Sequence, residues 1–395
     1  MLIDCAQGQP LGSLLADSIV EGGISLMRSD RDSRLFDLLW WVGYCGDFPV
    51  GLVGRIGGHE DWNRHVMYGA CKRGYLEVYR AEKKGRVVKS LRITEAGLDF
   101  IGNCDSDRYN LILARQELDA RGHGNLDKIL RSHALAHGLV MANAIGAVTL
   151  PAEKPSLKIN TVGNYATRDP NVTYYYTAWE LREAIRERSP NTSPKTARIL
   201  GVLIREGTLY FLYYTGLTRM YLRQNTESSV KSYISTLLTA RGFHYDTTSQ
   251  VVIGHGFEPA KKIARHGINS NSKYLCVTTR FNNFYYVTDD VEGERVLKSI
   301  VDPATRKETN DRILSGYLVP EQTNRAYDAL TPDTAQPVIL SYQFDLQELL
   351  LLNTDPFGYP KAPVLLCYDY QVNAIQDIVG PTVEVRIING GQYET

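Results

Sequence analysis

Amide, guanidinium and ammonium side chains are concentrated on one short predicted helix and on the turn that follows it. The candidates on the helix are Asn63, Arg64, Tyr68, Lys72 and Arg73, and those on the turn are Lys83, Lys84 and Arg86. Amide and guanidinium groups can bond bidentately to base edges in the major groove of DNA. Basic groups on a turn supply charge to phosphates without sequence information. These side chains therefore indicate recognition of double-stranded DNA.

The elements that would position these side chains run through residues 33–102 in the order of a winged helix-turn-helix. Apolar residues recur every three to four positions from Leu35 to Val42 and predict a first helix. Pro49 suits the first turn of a second helix, which we expect to end at Gly57-Gly58. Asp61 is expected to cap the third helix, and Gly74 to end it in the left-handed conformation.

A hairpin is predicted to follow the third helix, with strands at residues 75–79 and 87–93. Thr94 is expected to cap a short last helix over residues 95–101. On the third helix, Met67, Ala70 and Cys71 would face the core, which leaves Asn63, Arg64, Tyr68 and Lys72 pointing outwards. A winged helix can also bind protein, and a basic hairpin turn can simply be solvated. We favour DNA binding over both alternatives.

Composition limits the classes of protein that the chain can belong to. Its 395 residues are 43% hydrophobic, which predicts two or three domains with ample core. Lys+Arg and Asp+Glu are equal at 44 each, so affinity for nucleic acid must come from a local patch. Six cysteines without a Cys-x-x-Cys pair argue against a disulfide framework and fit a reducing cytoplasm. No signal peptide and no apolar run of membrane-spanning length is evident, so we expect a soluble cytoplasmic protein with no membrane partner.

The rest of the chain predicts a mixed α+β or α/β architecture. We expect a lead-in at residues 1–32, a helical connector at 103–150 with a long helix over 126–148, and an α/β domain at 151–395 with a subdivision near 300–335. Strands are predicted at Tyr-rich and β-branched segments, which include 174–176, 199–204, 208–215, 274–279 and 284–288. Residues 302–310 are expected to form a loop. Strands and helices alternate from residue 338 to the end.

Two further patterns could carry chemistry. His133 and His137 lie four residues apart on one face of the long predicted helix, a spacing that can bind zinc. Their neighbours are Ala134 and Ala136, and no third ligand is evident, so we expect two ordinary helix histidines. The Gly-His-Gly turn at 254–256 could hold a phosphate at a helix start, but it lacks the full P-loop pattern and is more typical of a βα turn.

Three segments in order resemble the replication-relaxation proteins of plasmids and integrative conjugative elements, in the branch found in Gram-positive bacteria. They are the winged helix, the Ser-His-Ala-Leu-Ala segment at 132–136, and the strand at 207–216 followed by a helix that carries Lys231 and Tyr233. The resemblance covers residues 33–240 and is looser beyond. It implies a DNA-binding winged helix joined to a domain similar to a degenerate restriction-endonuclease-like fold.

The chain departs from this family where the nuclease chemistry would lie. In many members the central strand carries two acids just before its Gly, and the matching positions here are Leu212 and Tyr214. Neither side chain can hold Mg²⁺ or position water as a carboxylate does. Other acids near predicted strand ends are Asp289, Asp290, Asp302, Asp345 and Asp369. Asp369 would be the best replacement, although turn caps and solvated loop charges are the more common roles of such acids.

These observations lead to one functional prediction and two alternatives. We expect a non-catalytic, sequence-specific DNA-binding protein of a mobile genetic element that serves replication, transfer or their regulation. It would need no cofactor and no metal, would form a homodimer, and would have replication or conjugation proteins as partners. The first alternative is a metal-dependent DNA nickase or nuclease. The second is a protein-interaction module or transcriptional regulator.

Overall fold

The protein is described here by a computed structural model that divides into two units, Met1–Ser132 and His133–Thr395. The described residues are 30–83, 86–118, 125–158, 169–188, 198–216, 220–222, 224–269, 273–321, 327–354 and 362–388. The boundary between the units falls within one helix, Leu126–Ala144, inside the segment 103–150 that the sequence predicts as a connector. Most of the predicted lead-in lies outside the described residues.

The first unit combines helices with a small antiparallel sheet. Its elements are α1 (Asp30–Cys45), β1 (Phe48–Pro49), a 3-10 helix (Val50–Arg55), α2 (Glu60–Lys72), β2 (Leu76–Lys83), β3 (Arg86–Ile93), α3 (Glu95–Cys104), α4 (Ser106–Leu118) and the start of α5 (Leu126–Ala144). The sheet order is β1-β3-β2, with both pairings antiparallel. Its core is apolar, since Leu38, Val42, Phe48, Leu91 and Ile101 are removed from solvent.

Local backbone chemistry explains where these elements begin and end. Thr94 caps α3 as predicted, because its Oγ1 accepts from the N–H of Gly97 across 3.2 Å. Gly74 ends α2 at φ +76°, which confirms the predicted left-handed residue. The prediction that Asp61 caps this helix is wrong. The helix begins one residue earlier, at Glu60, and His59 occupies the cap position without a side-chain hydrogen bond.

The predicted second helix is also different in the structure. Pro49 pairs with Ser90 as part of β1, so it precedes the helical turns and does not lie within them. The turns that follow, Val50–Arg55, are 3-10 in type. A 3-10 helix is the short, tight form that suits connectors, and this one leads directly into the two left-handed glycines, Gly57 and Gly58.

The second unit contains a five-stranded mixed sheet. Its strands are β4 (Tyr174–Thr177), β5 (Gly201–Arg205), β6 (Thr208–Gly216), β7 (Thr247–Gly254) and β8 (Asn283–Thr288), and they lie in this order across the sheet. The helices connected with it are α6 (Ala178–Arg188), α7 (Gln224–Ala240) and α8 (Glu258–Ala264). The first three strands are antiparallel, whereas β6, β7 and β8 are parallel. The carboxyl ends of these three strands therefore lie along one edge of the sheet.

The same unit contains a second sheet of four strands. Its elements are α9 (Val291–Val301), α10 (Pro303–Ile313), β9 (Ala329–Leu330), β10 (Pro337–Leu340), α11 (Leu346–Thr354), β11 (Val364–Cys367), α12 (Val372–Val379) and β12 (Glu384–Ile387). The order is β12-β11-β10-β9, with only the β9 pairing antiparallel. The chain is thus a mixed α+β protein, as predicted. None of the described helices has a stretch apolar and long enough to cross a lipid bilayer.

Three predictions for this unit are wrong. Residues 302–310, expected to be a loop, belong mostly to α10. Asp302 caps this helix by accepting from the N–H of Ala304, and Pro303 occupies its first turn. The predicted strand at 274–279 is absent, because Tyr274 and Val277 make only isolated bridges there. The long helix predicted to reach residue 148 ends at Ala144.

Candidate nucleic-acid interface

The exposed side of α2 carries most of the side chains that the sequence analysis assigned to DNA recognition. Arg64, Tyr68, Lys72 and Arg73 are all exposed to solvent, and we call these four residues the α2 face. Tyr68 is 68% exposed, an unusual position for so large an aromatic side chain. The opposite side of the helix buries Met67 and Ala70, as predicted, and Cys71 is half-buried.

Asn63 does not belong to this face, which corrects the prediction that it points outwards. Its side chain is only 3% exposed, and its Nδ2 donates to the backbone carbonyl of Gly57 across 2.7 Å. A buried amide needs such a partner, since an unpaired donor would cost free energy. Asn63 therefore holds the start of α2 to the glycine turn before it, and it is not placed to contact bases.

The charges at the two ends of α2 have opposite signs. Glu60 and Asp61 lie in the first turn, where acidic groups interact favourably with the helix dipole, and Lys72 lies in the last turn. Arg64 forms an ion pair with Glu60 one turn before it, and both side chains are more than half exposed. Exposed ion pairs of this kind contribute about 0 to 1 kcal/mol to the free energy of unfolding. The guanidinium of Arg64 can therefore exchange this partner for another acceptor at small cost.

A shallow groove lies beside the α2 face. Its volume is about 130 Å³, and it is lined by Leu35, Trp62, His65, Val66, Gly69, Ala70 and Arg73. The indole of Trp62 is 46% exposed at this groove. The sequence analysis did not select Trp62. An aromatic residue on the same short helix as Arg64 and Tyr68 could have indicated it, because aromatic rings offer stacking surfaces as well as core.

The β2–β3 hairpin adds two cations that the sequence analysis did not select. Arg80 lies directly opposite Lys89 in the register of the two strands, and both side chains are exposed. Arg80 also pairs with Glu82 across 3.5 Å. Strand alternation could have found both residues, since cross-strand neighbours share one side of a sheet.

The side chains of the three basic residues predicted at the hairpin turn lie outside the described part of the chain. Lys84 lies outside the described residues, and so do the side chains of Lys83 and Arg86, whose backbones end β2 and begin β3. Their assignment to phosphate contacts therefore stays a prediction.

The two positions that the sequence resemblance matches to nuclease acids, Leu212 and Tyr214, lie in the second unit. Leu212 is fully buried in β6. Tyr214 donates its hydroxyl to Asp289 Oδ2 across 3.1 Å, and its ring stacks on His137 with 4.5 Å between centroids. His137 Nδ1 lies 2.9 Å from the same carboxylate. Tyr214, His137 and Asp289 thus form a cluster with a single acid, which directly follows β8. This arrangement does not reproduce a pair of acids on one strand.

The other candidate acids have separate roles in the described part of the chain. Asp290 caps α9 by accepting from Gly293, and Asp302 caps α10 and pairs with Arg205. Asp369 is an exposed residue in a 3-10 turn that starts two residues after β11. Asp345 accepts from Asn283 and from the backbone of Phe284. No group of three or more His, Cys, Asp or Glu side chains among the described residues is placed to hold a metal ion, and His137 takes Asp289 as its partner.

Comparisons with known protein families, with curated proteins and with solved structures find no match.

Proposed function

We propose that this chain is a sequence-specific, double-stranded DNA-binding protein that acts by binding and not by catalysis. The observation that carries the proposal is the α2 face, which presents Arg64, Tyr68, Lys72 and the C-cap residue Arg73 to solvent from one helix and its end. Guanidinium groups on such a helix can bond to guanine in the major groove, and the ammonium group adds phosphate contacts.

The order of elements in the first unit supports a winged-helix interpretation of this surface. A helix, a short strand, helical turns, α2 and an antiparallel hairpin follow one another in the chain. In that interpretation α2 is the recognition helix, and the β2–β3 hairpin is the wing that lies along the backbone of the duplex. Arg80 and Lys89, together with Lys83, Lys84 and Arg86, are the proposed phosphate contacts.

The charge balance makes a local interface necessary. The whole chain has a formal net charge of zero, so long-range attraction to DNA is weak and the basic residues of the first unit must supply the affinity. Glu60 and Asp61 at the start of α2 oppose phosphates, although a carboxylate can accept a hydrogen bond from the amino group of cytosine. The position of these two acids therefore favours contacts with particular bases over sequence-independent affinity for the DNA backbone.

The biological setting in the proposal comes from the sequence resemblance. Similarity to replication-relaxation proteins supports a role in replication, transfer or regulation of a mobile genetic element, in the cytoplasm, with replication or conjugation proteins as partners. Winged-helix proteins commonly bind palindromic sites as dimers. We therefore propose a homodimer whose two α2 helices lie about 34–36 Å apart, one turn of the duplex.

Selection of bound fragments from a random pool of duplex DNA tests the proposal directly. The full chain should enrich one motif, and its affinity for that motif should fall steeply as salt concentration rises. Enrichment of a palindrome would support the homodimer. Absence of both enrichment and salt-dependent affinity would overturn the DNA-binding proposal and favour a protein-interaction module.

The enzymatic alternative has less support. A metal-dependent nuclease requires carboxylates at the metal, and Leu212 and Tyr214 replace them at the expected positions. Incubation of supercoiled plasmid with the chain and Mg²⁺ separates the two proposals. Nicking that Asp369→Ala or Asp289→Ala abolishes would favour the enzyme, whereas binding without nicking is the outcome that we expect.

A further inference from the structure

A large cavity of the second unit lies beside β8, the edge strand of the five-stranded sheet. It has a volume of about 710 Å³ and opens between β8, α10, β10 and α11. Its polar lining includes Tyr285, Arg306, Asp328, Asp345 and Glu348. Clefts of about 300 to 1,000 Å³ are typical of small-molecule sites. We call it the β8 cleft.

Two of the three acids in the β8 cleft are held by the backbone. Asp345 accepts from the N–H groups of Phe284 and Gln347 and from Nδ2 of Asn283. Asp328 accepts from the N–H of Leu340 across 2.7 Å. These bonds fix the carboxylates at the wall of the cleft. Asp328 keeps further acceptor capacity, since an ionised carboxylate has about four lone-pair sites, whereas Asp345 also accepts from the backbone of Glu348.

Glu348 differs from the other two acids because no hydrogen bond from the described residues acts on its carboxyl group, although its backbone N–H donates to Asp345. Burial, followed by the charges of Asp345 and Asp328, raises the pKa of its carboxyl group to about 8. Burial and neighbouring negative charges both disfavour the ionised form of a carboxyl group in this position. A cation that entered the cleft would supply a positive partner.

The remaining charged and titratable groups of the cleft do not neutralise this acidic side. The positive charge of Arg306 in α10 acts on two tyrosines of the cleft. Burial raises the pKa of Tyr285 and of Tyr342, and the charge of Arg306 partly offsets that rise. Within the described part of the chain, the charges that act on Glu348 are those of Asp345 and Asp328. Three carboxyl groups from two segments, Asp328 and the start of α11, therefore line one cleft, and Arg306 is the only cation among the described residues that lines it with them.

We infer that the β8 cleft binds a small organic cation, an ammonium or guanidinium group, with Glu348 and Asp328 as its principal acceptors. Such a group has several N–H donors and a positive charge. Its hydrogen bonds to carboxylates are therefore stronger than those of a water molecule. A free alkyl amine and the side chain of an arginine-containing peptide share this chemistry. The inference does not depend on DNA binding, because the cleft lies wholly within the second unit.

Calorimetric titration of the full chain, freed of nucleic acid, tests the inference with two probes. Agmatine represents a free amine, and N-acetyl-L-arginine amide represents a peptide side chain. We expect at least one of them to bind at about 0.15 M NaCl, where weak surface attraction is screened. The probe with the higher affinity identifies the source of the cation. Absence of binding by both up to about 10 mM would overturn the inference.

Substitution and pH provide the specific controls. Glu348→Gln should weaken binding about tenfold or more, because it removes a charged hydrogen bond. Glu308→Gln, the same change at an exposed position of α10, should leave the affinity unaltered. Affinity for the wild-type chain should rise about tenfold between about pH 6.5 and about pH 8.5, with proton release, as Glu348 ionises. Equal binding by both variants, or tighter binding at the lower pH, would refute the assignment.

Discussion

The guanidinium of Arg92 and the carboxylate of Asp47 form an ion pair that is buried in the first unit. Nε lies 2.6 Å from Oδ1, and the two side chains are only 2% and 3% exposed. The guanidinium carbon also lies 3.6 Å from the centroid of the Tyr79 ring. Because Asp47 follows α1 and Arg92 lies in β3, the pair joins the hairpin to the helical part of the unit.

Removal of one partner of this pair should destabilise the first unit strongly. We expect Asp47→Ala to lower the free energy of unfolding by about 3–5 kcal/mol, because it leaves the Arg92 charge buried and unpaired. Urea denaturation measures this change. Glu60→Gln, which breaks the exposed pair with Arg64, is the control and should cost about 1 kcal/mol or less. Equal costs for the two variants would contradict the structural role of the buried pair.

Asn63 should contribute to stability and not to base recognition. Asn63→Ala removes the donor to the Gly57 carbonyl and should lower the free energy of unfolding by about 1–3 kcal/mol. Its selected DNA motif should equal that of the wild-type chain. Tyr68→Ala, at an exposed position of the same helix, should leave stability unchanged. A changed motif with unchanged stability in Asn63→Ala would restore the base-contact prediction.

Asn63 also illustrates what the sequence could and could not predict. The caps and turns of the first unit depend on neighbours in the chain, so Thr94 and Gly74 could be assigned from residue type alone. The side that a polar residue faces depends instead on distant partners. Nothing in the local pattern indicates that the Gly57 carbonyl needs a donor, so polarity alone placed Asn63 outside.

Two features of the second unit were missed for the same physical reason. Helix α10 buries only Thr309, so it has no apolar periodicity, and its start signal at Asp302-Pro303 was the only local evidence. The acids of the β8 cleft come from segments that are far apart in sequence from its wall at Tyr285. Their convergence depends on tertiary packing, which no local pattern contains.

Arg64 and Lys89 should differ in their effects on DNA binding. Arg64→Ala should relax the choice of base at one position of the motif by about 1–3 kcal/mol, since a bidentate base contact is lost. Lys89→Ala should weaken binding evenly across sequences and reduce the salt slope by about one unit. Fluorescence anisotropy with the selected motif and its point variants measures both effects.

The matched control for these variants lies in the second unit. Lys262→Ala removes an exposed cation of α8 and should change neither the motif nor the salt slope. Indistinguishable behaviour of Arg64→Ala and Lys89→Ala would remove the base-reading role from the α2 face. Identical losses in all three variants would indicate a general electrostatic effect in place of a defined interface.

Glu348 should make the stability of the second unit depend on pH. Its pKa is raised from 4.5 to about 8 in the folded state, so the folded chain binds more protons than the unfolded chain between these two values. Its contribution is therefore fully present below about pH 4.5 and is lost as pH rises through about 8, at no more than about 1.4 kcal/mol per pH unit. We expect Glu348→Gln to remove this dependence and to be more stable than the wild-type chain at about pH 8.5. Urea denaturation over a pH series measures it, with Glu308→Gln expected to follow the wild-type curve. Parallel curves for Glu348→Gln and the wild-type chain would show that the carboxyl group ionises normally in the folded protein.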